Sequence, residues 1–266
     1  MDNESSVNKN NALEISRRGF LVLTGVTLGG MAAITVLKKP EPGKASSGEG
    51  EAGPRWGMVI DINKCIGCKY CTYACQAVNN LSDDMIYNVV TTETTQTGSK
   101  YFLSRPCMHC DEPPCVHVCP VNATYLRPDG IVTMNYDRCI GCRYCQVACP
   151  YEVRVFNWRR HTEQSPRIPA FGQPEVPPRP RGVMEKCTFC QHRIDKGLER
   201  GLVPGVDVQA TPACVVVCPT KARVFGDLKD PASPISKVLS EATTYIRLRE
   251  DLSTDPKVFY IPPQEV

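Results

Sequence analysis

Four closely spaced cysteines in the order C-x2-C-x2-C-x3-C occur twice in this chain and constrain its fold more than any other feature. CIGCKYCTYAC spans residues 65–75 and CIGCRYCQVAC spans residues 139–149, with 8 of 11 positions identical. Two further groups share a different ending, CVHVCPVNA at 115–123 and CVVVCPTKA at 214–222. The chain therefore carries two copies of each of two motifs, which indicates an internal duplication.

All 16 cysteines of the chain belong to these four groups. Group one is Cys65, Cys68, Cys71 and Cys75; group two is Cys107, Cys110, Cys115 and Cys119; group three is Cys139, Cys142, Cys145 and Cys149; group four is Cys187, Cys190, Cys214 and Cys218.

Disulfides, zinc and iron–sulfur clusters are the three chemistries that such cysteines could serve. Disulfides are common in exported, cysteine-rich chains, but three thiols in one short loop leave one without a partner. Zinc sites combine two separated cysteine pairs, a pattern that group four alone would satisfy. The run C-x2-C-x2-C-x3-C-P is that of bacterial ferredoxins, and a proline follows groups two, three and four, whereas Gln76 follows group one. The spacing favours iron–sulfur clusters.

The N-terminal segment, residues 1–37, is predicted to be a twin-arginine export signal or a membrane anchor. Ser16 to Leu21 match the pattern S-R-R-x-F-L, and an apolar run follows to residue 37. A short transmembrane anchor is the alternative, although the run is close to the minimum length for a span and is diluted by glycine and threonine. Residues 38–55 are predicted to be a polar linker. Export in the folded state, to the periplasmic or extracytoplasmic face of the membrane, suits a protein that acquires its clusters in a reducing cytoplasm.

The motifs, their order and the flanking sequences WGMVIDINKC and PCMHCDEPPCVHVCP resemble one family. It comprises the four-cluster electron-transfer subunits of membrane-bound molybdopterin oxidoreductases, among them the polysulfide, tetrathionate, dimethyl sulfoxide, nitrate and formate-dependent nitrite reductases. The resemblance covers residues 56–266. It implies a subunit without catalytic activity that relays electrons between a molybdopterin catalytic subunit and an integral membrane, quinone-reactive subunit.

The resemblance also implies four [4Fe–4S] clusters and a ligand set for each. Cluster one takes Cys65, Cys68, Cys71 and Cys218; cluster two takes Cys75, Cys187, Cys190 and Cys214; cluster three takes Cys107, Cys110, Cys115 and Cys149; cluster four takes Cys119, Cys139, Cys142 and Cys145.

The same pattern predicts an α+β fold of two interleaved bacterial-ferredoxin-like units, with inserted loops and a C-terminal extension. One half comprises residues 56–105 and 183–226, and the other comprises 106–158. A Pro/Arg-rich insert at 159–182 and a second insert at 191–213 are expected to be solvated linkers or partner-binding loops. The extension is 227–266.

Secondary structure is predicted for several of these segments. Strands are expected at 58–62, 151–158 and, as a strand or extended tail, 255–261; a hairpin is expected at 123–127 and 131–135. Helices are expected at 235–242 and after the third cysteine of each group.

Some polar residues near the cysteines invite a functional interpretation. His109 and His117 lie inside group two, and we expect them to pack or form hydrogen bonds rather than to hold a cluster. Tyr70 and Tyr144 are expected to pack on the clusters. Four cations beside ligand positions either tune cluster potentials or belong to a solvated face; they are Lys69, Arg143, Lys186 and Arg193.

Two other functions use the same clusters. One is a relay in a respiratory membrane complex without molybdenum, such as the alternative quinol-oxidising complex or the complex linked to sulfite reduction. The other is a freely diffusing polyferredoxin, which would stay soluble when cells are opened at low salt. The net charge of only +3 gives no basis for nucleic-acid binding.

Overall fold

The computed structural model describes residues 53–161 and 163–264. The predicted export signal and most of the linker that follows it therefore lie outside the described residues. Within the described ranges, no helix has both the length and the apolar character needed to cross a membrane.

Short strands and helices separated by loops make up the described part of the chain. They are β1 (Trp56–Asp61), α1 (Tyr70–Val78), β2 (Val89–Thr94), β3 (Lys100–Arg105), α2 (Pro114–His117), β4 (Thr124–Leu126), β5 (Val132–Met134), α3 (Tyr144–Val147), β6 (Val155–Phe156), β7 (Met184–Glu185), α4 (Gln191–Glu199), α5 (Ala213–Val216), β8 (Arg223–Asp227), α6 (Pro234–Glu241) and β9 (Val258–Ile261). Single-turn 3-10 helices lie at Ile62–Lys64 and Glu250–Leu252. The mixture of small helices and strands is that of the predicted α+β class.

A three-stranded sheet has β1 at its centre. β8 pairs with β1 antiparallel, and β9 pairs with its other edge in parallel. All six residues of β1 are buried, as expected for the apolar sequence WGMVID in a central strand. The strand predicted from residue 58 is present and begins two residues earlier. The C-terminal extension contributes the edge strand β9, so this part of the chain is a strand and not an extended tail.

The other six strands form three antiparallel two-stranded ribbons. The predicted hairpin forms as β4 and β5, with Thr124 opposite Met134. The β2–β3 hairpin was not predicted. The strand predicted at 151–158 is wrong in length, because only β6 pairs, with β7. The backbone N–H groups of Tyr151 and Val153 instead donate hydrogen bonds to the thiol of Cys149, and Val153 and Arg154 line a cavity.

The third cysteine of each group lies inside a short helix, which corrects the prediction that the helix follows it. In groups one and three the residue after the second cysteine has a left-handed backbone conformation, with φ of 61° at Lys69 and 63° at Arg143. The helix then begins at the next residue, one position before the third cysteine. The helix predicted at 235–242 is confirmed as α6, shifted by one residue.

The two inserts pack on the cluster-binding core. Phe171 in the first insert contacts the rings of Tyr70 and Tyr73 on α1, with centroids 5.2 and 5.1 Å apart. The second insert is not only a loop, because it contains α4, whose Ile194 is fully buried. The part of the first insert around Phe171 therefore packs on α1 and is not only a solvated linker.

The apolar core is continuous with the cysteines. One buried cluster contains residues of β1 and β8, together with Phe189 and five cysteines from groups one, two and four. Because cysteine behaves as a small apolar residue when buried, the walls around the thiols are largely apolar.

Candidate metal centres

The cysteines surround four separate cavities, with four cysteines lining each. The cavities contain about 280 to 380 Å³ of space, part of it open to solvent. Cavity one is lined by Cys65, Cys68, Cys71 and Cys218; cavity two by Cys75, Cys187, Cys190 and Cys214; cavity three by Cys107, Cys110, Cys115 and Cys149; cavity four by Cys119, Cys139, Cys142 and Cys145.

Each cavity combines three cysteines of one group with one cysteine of another. Groups one and four together supply the cysteines of cavities one and two. Groups two and three together supply those of cavities three and four. The structure therefore places the four cysteines of each ligand set that the resemblance implies around one cavity. Helix packing explains the exchange, because α1 contacts α5 and α2 contacts α3.

The four thiols of each cavity line its wall and do not converge on the position of a single metal ion. All sixteen cysteines are free thiols. Within residues 53–161 and 163–264, no three His, Cys, Asp or Glu side chains converge closely enough to hold a single metal ion. A donor set of four thiols spread around a cavity of this size suits a cluster of several metal atoms better than one tetrahedral ion.

A glycine shapes the loop between the first two cysteines of groups one and three. Gly67 and Gly141 have φ of +68° and +70°, which disfavours any residue with a Cβ. A Cβ on Gly67 would overlap the Phe102 ring, and a Cβ on Gly141 would overlap the carbonyl oxygen of Gly182. The loops therefore need glycine both for backbone conformation and for close packing against a second segment.

Burial disfavours charge on eight of the sixteen thiols. Burial, reinforced by neighbouring thiolates, raises the pKa of Cys110 and of Cys190 to about 12. Burial and then the charges of Cys190 and Cys187 raise the pKa of Cys75. Thiolates so close together need an opposing positive charge, which bound iron supplies.

Several groups donate hydrogen bonds to cysteine sulfurs. Asn88 Nδ2 lies 3.1 Å from Cys71 Sγ, and Arg223 Nη1 lies 3.1 Å from Cys214 Sγ. The backbone N–H of Ala123 donates to Cys119 Sγ across 3.1 Å. Burial raises the pKa of Cys119, but this N–H, with those of Thr124 and Val121, lowers it overall. Neither Asn88 nor Arg223 was singled out from the sequence, since only the fold brings them to the sulfurs.

The cations that the sequence singled out differ in their surroundings. Lys69 and Arg143 are exposed to solvent, and Arg193 is partly buried beside Glu175, 3.5 Å away. Lys186 is fully buried and donates to the carbonyl oxygens of Val132 and Cys187. Lys69 and Arg143 therefore lie on a solvated face, where the Arg143 guanidinium is 4.8 Å from the ring centroid of Trp158, whereas Lys186 does not.

The histidines behave as predicted where the structure shows their contacts. His109 stacks on Phe189 with ring centroids 3.7 Å apart, and its Nδ1 accepts from the Val132 N–H at 3.1 Å. Burial, followed by the charge of Lys186, lowers the pKa of His109, so the ring is neutral. His117 is exposed. Tyr70 and Tyr144 are both largely exposed, and Tyr70 also packs on Phe171.

Cavities one and four lie near the surface, whereas cavities two and three lie deeper. All four cysteines of cavity two are buried, as are three of the four in cavity three. Cys142 in cavity four is exposed. The surface there is apolar, with Ile140, Tyr144 and Trp158 exposed and Val147 87% exposed.

Comparison with known proteins finds the same type of site. Two models described as a 4Fe-4S dicluster domain match residues 98–166 and residues 64–123 with 138–222. The chain is 43% identical over 222 residues to a putative dimethyl sulfoxide reductase iron-sulfur subunit of Halobacterium salinarum, covering 77% of this chain and 78% of the relative. It is 39% identical to the iron-sulfur cluster-binding subunit of menaquinone reductase of Nitratidesulfovibrio vulgaris, covering 79% and 90%. It is also 39% identical to the iron-sulfur subunit of the arsenate respiratory reductase of a Shewanella species, covering 78% and 96%.

Proposed function

Because this chain belongs to the family of iron–sulfur subunits of respiratory reductases and related menaquinol oxidoreductases, we propose that it is a non-catalytic electron relay. It connects a quinone-reactive membrane subunit with a molybdopterin-containing catalytic subunit. The proposal rests on the four cavities, each of which is lined by four cysteines. Two of the cavities lie deep in the protein and two lie near its surface.

The protein's cofactors are four [4Fe–4S] clusters, two for each dicluster domain. We assign one cluster to each cavity, with the four lining cysteines as its ligands. The donor set fits, and the buried Arg154 Nη2 in the wall of cavity three has no hydrogen-bond partner among the described residues. When bound, such clusters supply reversible one-electron chemistry at potentials set by their surroundings.

The chain's own residues hold and insulate the clusters. Apolar side chains, such as Ile60 at cavity one and Val132 at cavity three, exclude water from the cavity walls. Asn88, Arg223 and the Ala123 N–H orient the thiolates. The exchange of cysteines between groups supports two interleaved ferredoxin-like halves, one of residues 56–105 with 183–226 and one of 106–158.

The two shallow cavities suit the ends of the relay. We assign cavity one to the side of the catalytic subunit and cavity four to the side of the membrane subunit. The exposed apolar residues beside cavity four support an interface there, because large apolar side chains clustered at a surface mark docking sites. The twin-arginine pattern that predicts an export signal or anchor at residues 1–37 supports a location on the extracytoplasmic face of the membrane.

The metal content of the intact complex tests the proposal. The complex is isolated from detergent-solubilised membranes through a C-terminal tag on this chain, and iron and molybdenum or tungsten are measured per complex. We expect iron for at least the four clusters, together with molybdenum or tungsten. Isolation of this chain alone from the soluble fraction would contradict the relay and favour a free polyferredoxin.

A second candidate is the same relay in a complex without molybdenum. The similarity to the menaquinone reductase subunit favours it, because the name of that relative specifies quinone reduction and no substrate such as dimethyl sulfoxide or arsenate. Abundant iron with neither molybdenum nor tungsten in the isolated complex would select this candidate.

A further inference from the structure

Three buried cations have no carboxylate partner. Arg154, Lys186 and Arg223 are 3%, 0% and 4% exposed. Within the described ranges, none of them forms an ion pair with Asp or Glu. Lys257 is equally buried but pairs with Asp111. An unpaired buried charge strongly destabilises a folded protein, so each of the three needs another source of negative charge.

Arg223 lies between cavities one and two. Its side chain lines cavity one, while its Nη1 donates to Cys214 Sγ, which lines cavity two, across 3.1 Å. The other terminal nitrogen donates to Asn88 and Ser104 at 2.5 and 2.7 Å, which fixes the plane of the guanidinium.

Lys186 lies between cavities two and three. Its Nζ donates to the carbonyl oxygen of Cys187, a residue of cavity two, across 2.7 Å. It also donates to the carbonyl oxygen of Val132, which lines cavity three. Both acceptors are neutral, so the ammonium charge is not compensated by its hydrogen bonds.

Arg154 lies between cavities three and four. Its side chain lines cavity three. Its Nη1 contacts Thr124 Oγ1 at 3.3 Å and Met134 Sδ at 3.5 Å, and both of these residues line cavity four. Its Nη2 is buried without a hydrogen-bond partner of good geometry among the described residues, and the thiols of Cys115 in cavity three and Cys145 in cavity four are neighbouring sources of negative charge.

We propose that Arg223, Lys186 and Arg154 are potential-setting residues, one at each junction between neighbouring cavities along the relay. The proposal rests on the proposed function, because the negative charge that offsets each cation is that of the two clusters beside it. A cluster held by four thiolates is anionic and becomes more so on reduction. A fixed cation in a low-dielectric interior stabilises the reduced form of both neighbours and raises their potentials.

Redox titration of the whole complex, followed by electron paramagnetic resonance, tests the proposal. The variants are Arg223→Met, Lys186→Met and Arg154→Met. Each is expected to lower the midpoint potentials of two of the four clusters and to leave the other two unchanged. The Arg223 and Lys186 variants share one affected cluster, the Lys186 and Arg154 variants share another, and the Arg223 and Arg154 variants share none.

Lys69→Met is the matched control, because Lys69 also adjoins a cysteine of a cavity but is exposed. Water screens its charge, so we expect no shift. Wild-type potentials in the three buried-cation variants at full iron content would overturn the proposal, and so would an equal shift of all four clusters. A wild-type complex without four clusters would instead contradict the proposed function.

Where a methionine variant does not assemble, a variant that retains the positive charge shows whether charge or shape is required. Arg223→Lys, Lys186→Arg and Arg154→Lys are expected to retain four clusters with potentials near those of the wild type. Assembly of these variants, with loss of clusters in the methionine variants, supports a requirement for charge. Equal loss in both series would show that shape and not charge is needed, and would overturn the proposal.

Discussion

The side-chain amide of Asn88 donates a hydrogen bond to the sulfur of Cys71 across 3.1 Å. Its Oδ1 accepts from Arg223 and from Ser104 Oγ, at 2.5 and 3.0 Å. One buried asparagine therefore connects a cysteine of cavity one to a guanidinium that contacts cavity two.

Asn88→Ala should lower the potential of cluster one, because hydrogen bonds to the sulfurs favour the reduced cluster. It should also destabilise the protein by about 1–3 kcal/mol, since Arg223 loses a buried acceptor. Redox titration and anaerobic urea unfolding measure the two effects. Asn79→Ala is the comparison, because Asn79 makes a longer contact of 3.6 Å to Cys75 and should affect cluster two, and less strongly. A larger shift from Asn79→Ala would contradict this prediction.

Asp111 joins two distant parts of the chain by pairing with Arg55 and with Lys257, whose Nζ lies 2.5 Å from Asp111 Oδ1. Asp111→Asn should destabilise the protein by about 3 kcal/mol, because it leaves the buried ammonium of Lys257 without a counter-charge. Anaerobic urea unfolding of the cluster-loaded protein measures the change.

The double variant Asp111→Asn with Lys257→Met provides the control for that pair. Since it removes the uncompensated charge, it should be more stable than Asp111→Asn alone. If the double variant lost as much free energy of unfolding as Asp111→Asn alone, or more, the pair would not act through charge.

The cysteine spacing predicted much of the site, because a short motif places its own thiols in one loop. The β4–β5 hairpin was also predictable, since its strands are adjacent in sequence and joined by a Pro-Asp-Gly turn. The β2–β3 hairpin, which was not predicted, has a comparable signal in a run of valine and threonine at 89–94 and a turn containing Gly98.

Other features could not be derived from local pattern. β1 and β9 pair across about two hundred residues, and β6 and β7 are two residues each, too short to show a period. Arg154 and Arg223 look like ordinary surface arginines in the sequence. Their burial between cavities depends on the tertiary packing of segments that lie far apart along the chain.

Gly141→Ala should impair the loop of group three. The left-handed backbone alone costs a residue with a Cβ about 1–2 kcal/mol, and here the Cβ also overlaps the Gly182 carbonyl oxygen. We expect reduced occupancy of cluster four, measured as iron per protein. Gly98→Ala is a matched control, because Gly98 has φ of +89° but no atom within 4 Å of its Cβ position. Full iron content in both variants would show that the contact with Gly182 is not needed.

Paired cysteine variants test the assignment of ligands, because the cavities and the sequence motifs group the cysteines differently. Cys65 and Cys75 belong to one motif but line different cavities, whereas Cys65 and Cys218 come from different motifs and line the same one. Cys65→Ala with Cys218→Ala should therefore alter one cluster, and Cys65→Ala with Cys75→Ala should alter two. Iron analysis and electron paramagnetic resonance of the isolated complex count the altered clusters.

The same comparison in the other half uses Cys139→Ala with Cys119→Ala against Cys139→Ala with Cys149→Ala. Cys119 lines cavity four together with Cys139, while Cys149 lines cavity three. We again expect one altered cluster in the first pair and two in the second. The reverse result in either half would mean that each motif holds its own cluster, since only then would two cysteines of one motif affect a single cluster.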